Sequence, residues 1–363
     1  MNTTAPVAPA SSWSVRDHAA EADESRRLHP ETVSALTEAG FPRHFVPAAW
    51  GGHEGTFTEL LLRTAELAEQ CASTAWCAGL WAAHGRFAAY LPPEGRRDLW
   101  GTSPDVRISA AVVPPSGAAV PTPDGWLLQG EWRCVSGVTD ADWLLLAVPE
   151  PEGEPGTGPL VLAVPAEAVT VLDTWNSTGL RGTGSHSVTV APLEVPRHRA
   201  FPLTEMLRGT PGPGRARCHT VPAHLGGPAI LAAPALGAAR LALRAWTARA
   251  AERLGGPGSS AREVLARSSA EIDAAGLLLE RAAHRADTEQ GALAVAENRR
   301  DVAFVVDLLV TAVERLFRSG GAQAHAAAGE LQRCWRDVHT AAAHGALRLE
   351  AAAHEYAETV LGR

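Results

Sequence analysis

The texture of this chain changes twice along its length, and those two changes bound what it can fold into. Residues 13–100 carry helical periodicity. Residues 106–195 read as short strands broken by Pro and Gly. From about residue 215 the pattern is helical again. In the first block, residues 17–39 place Leu28, Val33, Leu36 and Ala39 on one face and stop at Gly40 as a C-cap. GFPRHFVPAAWGG, residues 40–52, is a breaker-rich loop. Residues 58–70 and 73–91 form two further helices, the second opening at a Ser-Thr cap signal.

In the middle block, RISAAVV, GWLLQGEWRCVSG, DWLLLAV, LVLAV and SHSVTVAPLEV are β-rich. About six strands of this length suit a small antiparallel barrel or sandwich. PEPEGEPGTGP, residues 149–159, is an exposed turn between two of them. After a Pro/Gly connector, residues 226–254, 261–288, 294–318 and 331–360 are Ala/Leu-rich with charges to one side, as in a four-helix bundle. GGPGSS, residues 255–260, stops one helix and caps the next. The expected class is α+β, mainly helical. A disordered tail (1–12) precedes an N-terminal helical domain (13–105), a β domain (106–205) and a C-terminal four-helix bundle (215–363).

Composition removes several function classes. The 363 residues contain no lysine, which excludes a Schiff-base lysine, a pyridoxal-phosphate anchor and a Walker lysine. A net charge of −8 gives a nucleic-acid role no electrostatic support. No run approaches a membrane span, and the start lacks a signal design. Five cysteines without a CxxC pair read as reduced, buried thiols in a cytoplasmic protein. No HExxH, His/Cys cluster or EF-hand loop predicts a metal site, and no GxSxG elbow supports a hydrolase.

Read as one helix, LQRCWRDVHTAAAHG (residues 331–345) puts Asp337, Thr340/Ala341 and His344 on one face. That face is slim and polar, like a pocket wall with one titratable group aimed into it. Imidazole titrates near neutrality, so His344 is a candidate catalytic base, the competing reading being a histidine satisfied inside the bundle. His339 lies about 140° away on such a helix and reads as solvated. Trp81 and His84 are neighbours at i, i+3, and a core-packed tryptophan with a hydrogen-bonded histidine is one reading of the pair. Arg336 and Asp337 read as an ion pair fixing the helix.

Several of these segments, in this order, resemble the acyl-CoA dehydrogenase superfamily across nearly the whole chain. Gly320-Gly321 followed by Gln332-Arg333 and Arg336-Asp337 is similar to the end of that family. Aligned on Arg336-Asp337, the dehydrogenases' catalytic glutamate falls on Gly345, beside His344. That vacancy resembles the family's flavin-dependent monooxygenases, which receive reduced flavin from a separate reductase. The resemblance implies reduced FMN or FAD and O2 as cofactors, and hydroxylation of a small aromatic or amine substrate through a carbon-4a hydroperoxyflavin. It also implies a homotetramer whose flavin sites neighbouring subunits complete, with Gly320 and Gly321 as cofactor candidates that, like the arginines near Arg315 and Arg318, serve the interface. GEWRCVSGVTDADW (130–143) resembles the flavin-facing strand. There Ser136 would sit near flavin N5, with Cys134 and backbone at Val135 beside it. Cys134 stands where many dehydrogenases have a tryptophan, and Trp132 is expected to face away from it. DTWNSTGLRGTGSHSVTV (173–190) resembles the family's glycine-rich signature. It makes Arg181, Thr183, Gly184 and Ser185 cofactor candidates, with a structural ion pair the commoner role for an arginine such as Arg181. Ser116, in SAAVVPPSG, is a weaker candidate. The helix of STAWCAGLWAAHGRF resembles the one that lines the family's substrate pocket, which implies Trp81 and His84 as substrate contacts, with core packing at least as good a reading. The competing readings are an acyl-CoA dehydrogenase or oxidase with a relocated base (Glu271, Glu280 or Glu330) and a non-catalytic ligand-binding bundle.

Overall fold

A computed structural model describes residues 14–153, 155–212, 214–252 and 259–362. The tail expected at 1–12 and most of the break at 255–260 lie outside them. The first helical stretch is two helices, α1 (Ala19–Ser25) and α2 (Pro30–Glu38), and not one. Pro30 is the cause. It lacks an amide hydrogen, and it holds His29 in an extended conformation (φ −71°, ψ 140°) that ends any helix before it. The His29 ring then caps α2, its Nδ1 accepting from the Glu31 amide at 3.2 Å. Helix α3 (Phe57–Ala68) is capped by Thr56, which accepts from the Glu59 amide. Helix α4 (Ala72–Ala88) starts after Cys71 with no side-chain cap, so the Ser73-Thr74 signal falls inside the helix. Helix α5 (Pro93–Trp100) closes the domain.

The β domain comprises β1 (Ile108–Ala111), β2 (Ala118–Pro121), β3 (Gly125–Val135), β4 (Trp143–Val148), β5 (Leu160–Pro165), β6 (Thr170–Leu172), β7 (His186–Pro196) and β8 (Ala200–Pro202). They form two four-stranded sheets, β1-β4-β5-β8 and β2-β3-β7-β6. The sequence suggested fewer strands and antiparallel pairing throughout. Instead β1 runs parallel to β4, because the β2-β3 hairpin between them leaves for the other sheet and supplies the long crossover a parallel pair needs. Strands β4 and β5 are buried on both faces. Leu144, Leu146 and Leu162 pack between the sheets, while Leu145, Ala147 and Ala163 pack towards α5 and Phe201. That explains unbroken apolar runs where a half-exposed strand would alternate.

Beyond short helices α6 (Leu203–Arg208) and α7 (Arg217–Thr220), the bundle holds α8 (Ala223–Ala251), α9 (Ser259–Thr288), α10 (Ala292–Ser319), α11 (Glu330–Ala342) and α12 (Leu349–Leu361). Helix α8 is long and apolar enough to cross a membrane by length and composition, contrary to the sequence reading. It packs instead against α3, α4, α9, α10 and α11, and its apolar residues are the centre of the core. Small residues let the backbones close up. A Cβ on Gly237 would lie 2.2 Å from the Ala65 carbonyl oxygen of α3.

The last expected helix, 331–360, is broken. Helix α11 ends at Ala342, and a short turn at Gly345–Leu347 precedes α12. His344 is the N-cap of that turn (φ −64°, ψ 132°) and lies on no helix face. Replacing Gly237 by Ala forces α8 off α3 and is expected to cost about 1–3 kcal/mol. A urea melt reads it as a lower midpoint, and an unchanged midpoint would show that the two helices do not pack this closely.

Candidate active site

The Ser136–Gly137 turn at the end of β3 lies where all three blocks of the chain meet. Helix α4 covers it with two tryptophans. Trp76 donates its indole N–H to Ser136 Oγ at 3.1 Å. Trp81 packs its indole against Gly137, where an added Cβ would lie 2.9 Å from Nε1. From β1, Ser109 Oγ donates to the Ser136 carbonyl at 2.8 Å. From the glycine-rich segment, the Thr183 carbonyl accepts from the Gly137 amide at 2.8 Å. Ser136 Oγ also shares a 2.7 Å hydrogen bond with Ser185 Oγ, and Ser185 Oγ another of 2.7 Å with Thr183 Oγ1. Thr183 Oγ1 donates onward to the Leu180 carbonyl at 2.8 Å.

Helix α11 holds that segment in place. Asp337 Oδ1 accepts from the Leu180 amide at 2.6 Å. Burial pushes this carboxyl up to about 6, against the opposing pull of the Leu180 bond and the arginines nearby. Arg336 is paired with Asp23 of α1 at 2.7 Å and donates to the Thr178 carbonyl. The two residues expected to pair with each other therefore tie α11 to two other segments. Gly179 sits in this contact, where a Cβ would lie 2.2 Å from the Arg336 carbonyl oxygen.

His344 reaches the cluster from the turn after α11. Its ring centroid lies 5.9 Å from that of Trp76. The residue as a whole is exposed, yet packing strips enough water from the ring to move its pKa below the ordinary value. Nδ1 accepts from the Ala346 amide at 3.2 Å, so the neutral ring carries its proton on Nε2. At Gly345, where a dehydrogenase glutamate would stand, an added Cβ meets nothing within 4 Å. The carboxylate position opens onto free space beside the imidazole.

The remaining candidates divide. Cys134 is exposed with φ 56°, at a bulge between Trp132 and Val135. Simple alternation would put Trp132 and Cys134 on one face. The bulge is what separates them: Trp132 is buried and donates to the Ala147 carbonyl at 2.8 Å. Val135 is buried, leaving only its backbone to meet a ligand. Ser116 is half-buried, its amide bonded to the Ala147 carbonyl. Gly184 is buried and holds φ 48°. Arg181 takes the structural role, donating to the carbonyls of Asp23 (2.8 Å) and Ser177 (3.0 Å). Trp81 is fully buried and His84 nearly so. His84 Nδ1 is 2.7 Å from the Ile108 carbonyl, and burial lowers its pKa to about 4. Both belong to the core; Trp76, on the same helix and 7% exposed, is the one that reaches Ser136 and the His344 ring. The sequence offered only its place in an Ala-rich stretch as a signal. Gly320 and Gly321, after α10, join none of the Ser136 contacts; Gly320 lies beside Trp246, Arg249 and Leu331, and an added Cβ on Gly321 would meet nothing within 4 Å.

The alternative bases lie elsewhere. Glu271 is held by Arg315 at 2.6 and 2.9 Å, Glu280 is exposed, and Glu330 faces Arg16 and Arg333. His18, Glu21 and His29 cluster at the surface, but the two rings stack in parallel, 3.9 Å apart. Their in-plane lone pairs do not converge on one ion.

Comparison with known proteins agrees with this architecture. Residues 11–91 match the acyl-CoA dehydrogenase N-terminal domain, and residues 229–349 match the acyl-CoA dehydrogenase C-terminal domain. The chain is 31% identical over 352 residues to the flavin-dependent monooxygenase oxygenase subunit HsaA of Rhodococcus jostii, covering 92% of this chain and 91% of that protein. It is 31% identical over 376 residues to the oxygenase component of an FADH2-dependent resorcinol hydroxylase from a Rhizobium species, covering 96% and 91%. The solved 3-HSA hydroxylase of Rhodococcus sp. RHA1 superposes with a TM-score of 0.89 at 30% identity, covering 96% of this chain and 94% of that one. XiaF from a Streptomyces species, solved with FADH2 and glycerol, gives 0.88 at 28% identity, covering 96% and 92%. The chain belongs to the acyl-CoA dehydrogenase superfamily, in its branch of flavin-dependent monooxygenase oxygenase components.

Replacing Asp337 by Ala orphans the buried Leu180 amide and is expected to cost about 1–3 kcal/mol, while Asn, which keeps an acceptor, restores most of it. Hydrogen exchange at the Leu180 amide, protected in the native protein and fast in the Ala variant, checks the contact. Equal exchange in both proteins would show the clamp absent.

Proposed function

We propose that this protein hydroxylates a small aromatic substrate, using O2 and reduced FMN or FAD supplied by a separate flavin reductase. The observation that carries the reading is the meeting of Trp76, Ser136 and His344 at one turn, beside an open Gly345 in place of a carboxylate. The residues present fit a flavin. Ser136 is half-buried, and its oxygen retains a lone pair after accepting from Trp76. Cys134 is turned outward beside it. Ser136, the Val135 backbone and Cys134 would hold the ring. A bound reduced flavin supplies the two electrons by which one atom of O2 enters the substrate and the other leaves as water.

The chain's own residues do the rest. Trp76, nearly buried, holds Ser136 by its indole N–H and backs the His344 ring. His344 takes a proton from a substrate hydroxyl, which makes the ring a stronger nucleophile. To do so it must release the Ala346 amide, at a cost of about 1 kcal/mol for one hydrogen bond. That is small against the factor of about 100 to 10,000 a positioned base contributes. With no glutamate at Gly345 to take a proton from carbon, dehydrogenation lacks its base.

We further infer a homotetramer assembled through the bundle. The exposed Leu277, Leu293, Phe304, Val360 and Leu361 on α9, α10 and α12 support it, as do Gly320-Gly321 and the exposed Arg318. Arg315 is paired within the chain with Glu271. A cytoplasmic location suits five unpaired thiols.

The decisive experiment supplies reduced FAD or FMN to the protein under air with resorcinol or p-hydroxyphenylacetate. One hydroxylated product per flavin oxidised is expected. Flavin oxidation with peroxide release alone, across a panel of phenols, would sink the reading. His344 must be neutral to act, and the loss of water around its ring holds its pKa below the ordinary histidine value. The rate should therefore fall as pH drops, with an acid limb lying below that of a free imidazole. His344→Gln is expected to slow hydroxylation by about 100-fold or more and to erase this acid limb. A limb that persists in the variant belongs to another group.

A further inference from the structure

We propose that Thr183 and Ser185 are positioning residues that fix the direction of the Ser136 hydroxyl, making it a hydrogen-bond acceptor that prefers reduced over oxidised flavin. The inference rests on the flavin-site reading above. Its physical basis is a chain of hydrogen bonds with both ends fixed. At one end the Trp76 indole N–H can only donate, and at the other the Leu180 carbonyl can only accept. Between them stand three hydroxyls, Ser136, Ser185 and Thr183, each with one proton. Four bonds and four protons balance in one polarity only: Trp76 to Ser136, Ser136 to Ser185, Ser185 to Thr183, Thr183 to Leu180.

Thr183 and Ser185 are 2% and 5% exposed, so water offers neither an easy alternative partner. The chain is also held from the side by the Gly137 amide on the Thr183 carbonyl and the Ser109 hydroxyl on the Ser136 carbonyl. Ser136 is left with no free proton and one free lone pair. That suits a ring nitrogen that carries hydrogen, which flavin N5 does only when reduced. To donate to oxidised N5, the chain must reverse and give up the bond from Thr183 to Leu180. The Leu180 carbonyl would still accept from Trp175 Nε1 at 3.0 Å, so the cost is one neutral hydrogen bond and no more. Such a bond is worth about a factor of five to ten in an equilibrium constant.

The test measures dissociation constants for oxidised and anaerobically reduced FAD and FMN, and the midpoint potential of the bound flavin. The wild-type protein is expected to prefer the reduced form, raising the potential by about 30 mV per tenfold preference. Ser185→Ala frees the Ser136 proton, and Thr183→Val frees that of Ser185. Each should lower the preference about five- to tenfold. Thr183→Ser, which keeps the hydroxyl, should restore it. Equal wild-type affinity for both redox forms, or a preference unmoved in whichever of the two hydroxyl-deleting variants folds, would overturn the proposal. Failure of the wild-type protein to bind flavin in either form would instead remove the flavin-site reading beneath it.

Discussion

The contact on which the site depends is the seating of α11 against the glycine-rich segment. Asp337 takes the Leu180 amide, and Arg336 takes Asp23 and the Thr178 carbonyl. A helix of the bundle thereby fixes a loop of the β domain and the first helix of the chain together. That seating adds to the direct bonds that already join Ser185 to Ser136 and the Thr183 carbonyl to the Gly137 amide. The contact requires near backbone-to-backbone approach at Gly179, which any side chain there would block. A carboxyl pushed up to about 6 by burial is the cost of the arrangement, and the bond it accepts keeps the buried Leu180 amide from being orphaned.

Around that contact the three blocks have distinct tasks. Helix α4 lays Trp76 on Ser136 and Trp81 on Gly137. Strand β3 ends in a bulge that turns Cys134 outward while Trp132 and Val135 stay in the sandwich core. The break after α11 brings the His344 ring to within 5.9 Å of the Trp76 ring. Had α11 run on unbroken, His344 would have followed the helical path of Asp337 and Ala341, both of which face the core. The turn is what exposes it beside the open position at Gly345.

Part of this was legible in the residues. The two changes of texture marked the helical, β and helical blocks, because periodicity of 3.6 and of 2 is imposed by which face is buried. Ser136, Thr183, Ser185 and His344 were all singled out by motif, and the fold brings the first three into direct contact, with Trp76 linking them to His344. Other points were not legible. Trp81 and His84 share the helix with Trp76, and only packing decides which indole meets a polar partner. The parallel pairing of β1 with β4 depends on where a hairpin is placed in space, which strand-length patterns do not record.

By itself, the sequence determined what chemistry was available: no lysine, no glutamate at Gly345, hydroxyls and an imidazole in its place. These are properties of residue identity and need no coordinates. Only the tertiary structure decided which proton each of those groups can give or take. The direction of the hydroxyl chain is set by an indole donor from α4 and a carbonyl acceptor from the loop after β6, segments about a hundred residues apart in the chain. The tautomer of His344 is set by a turn the sequence pattern read as helix. Hydrogen-bond direction is a property of partners, and partners are assigned by folding.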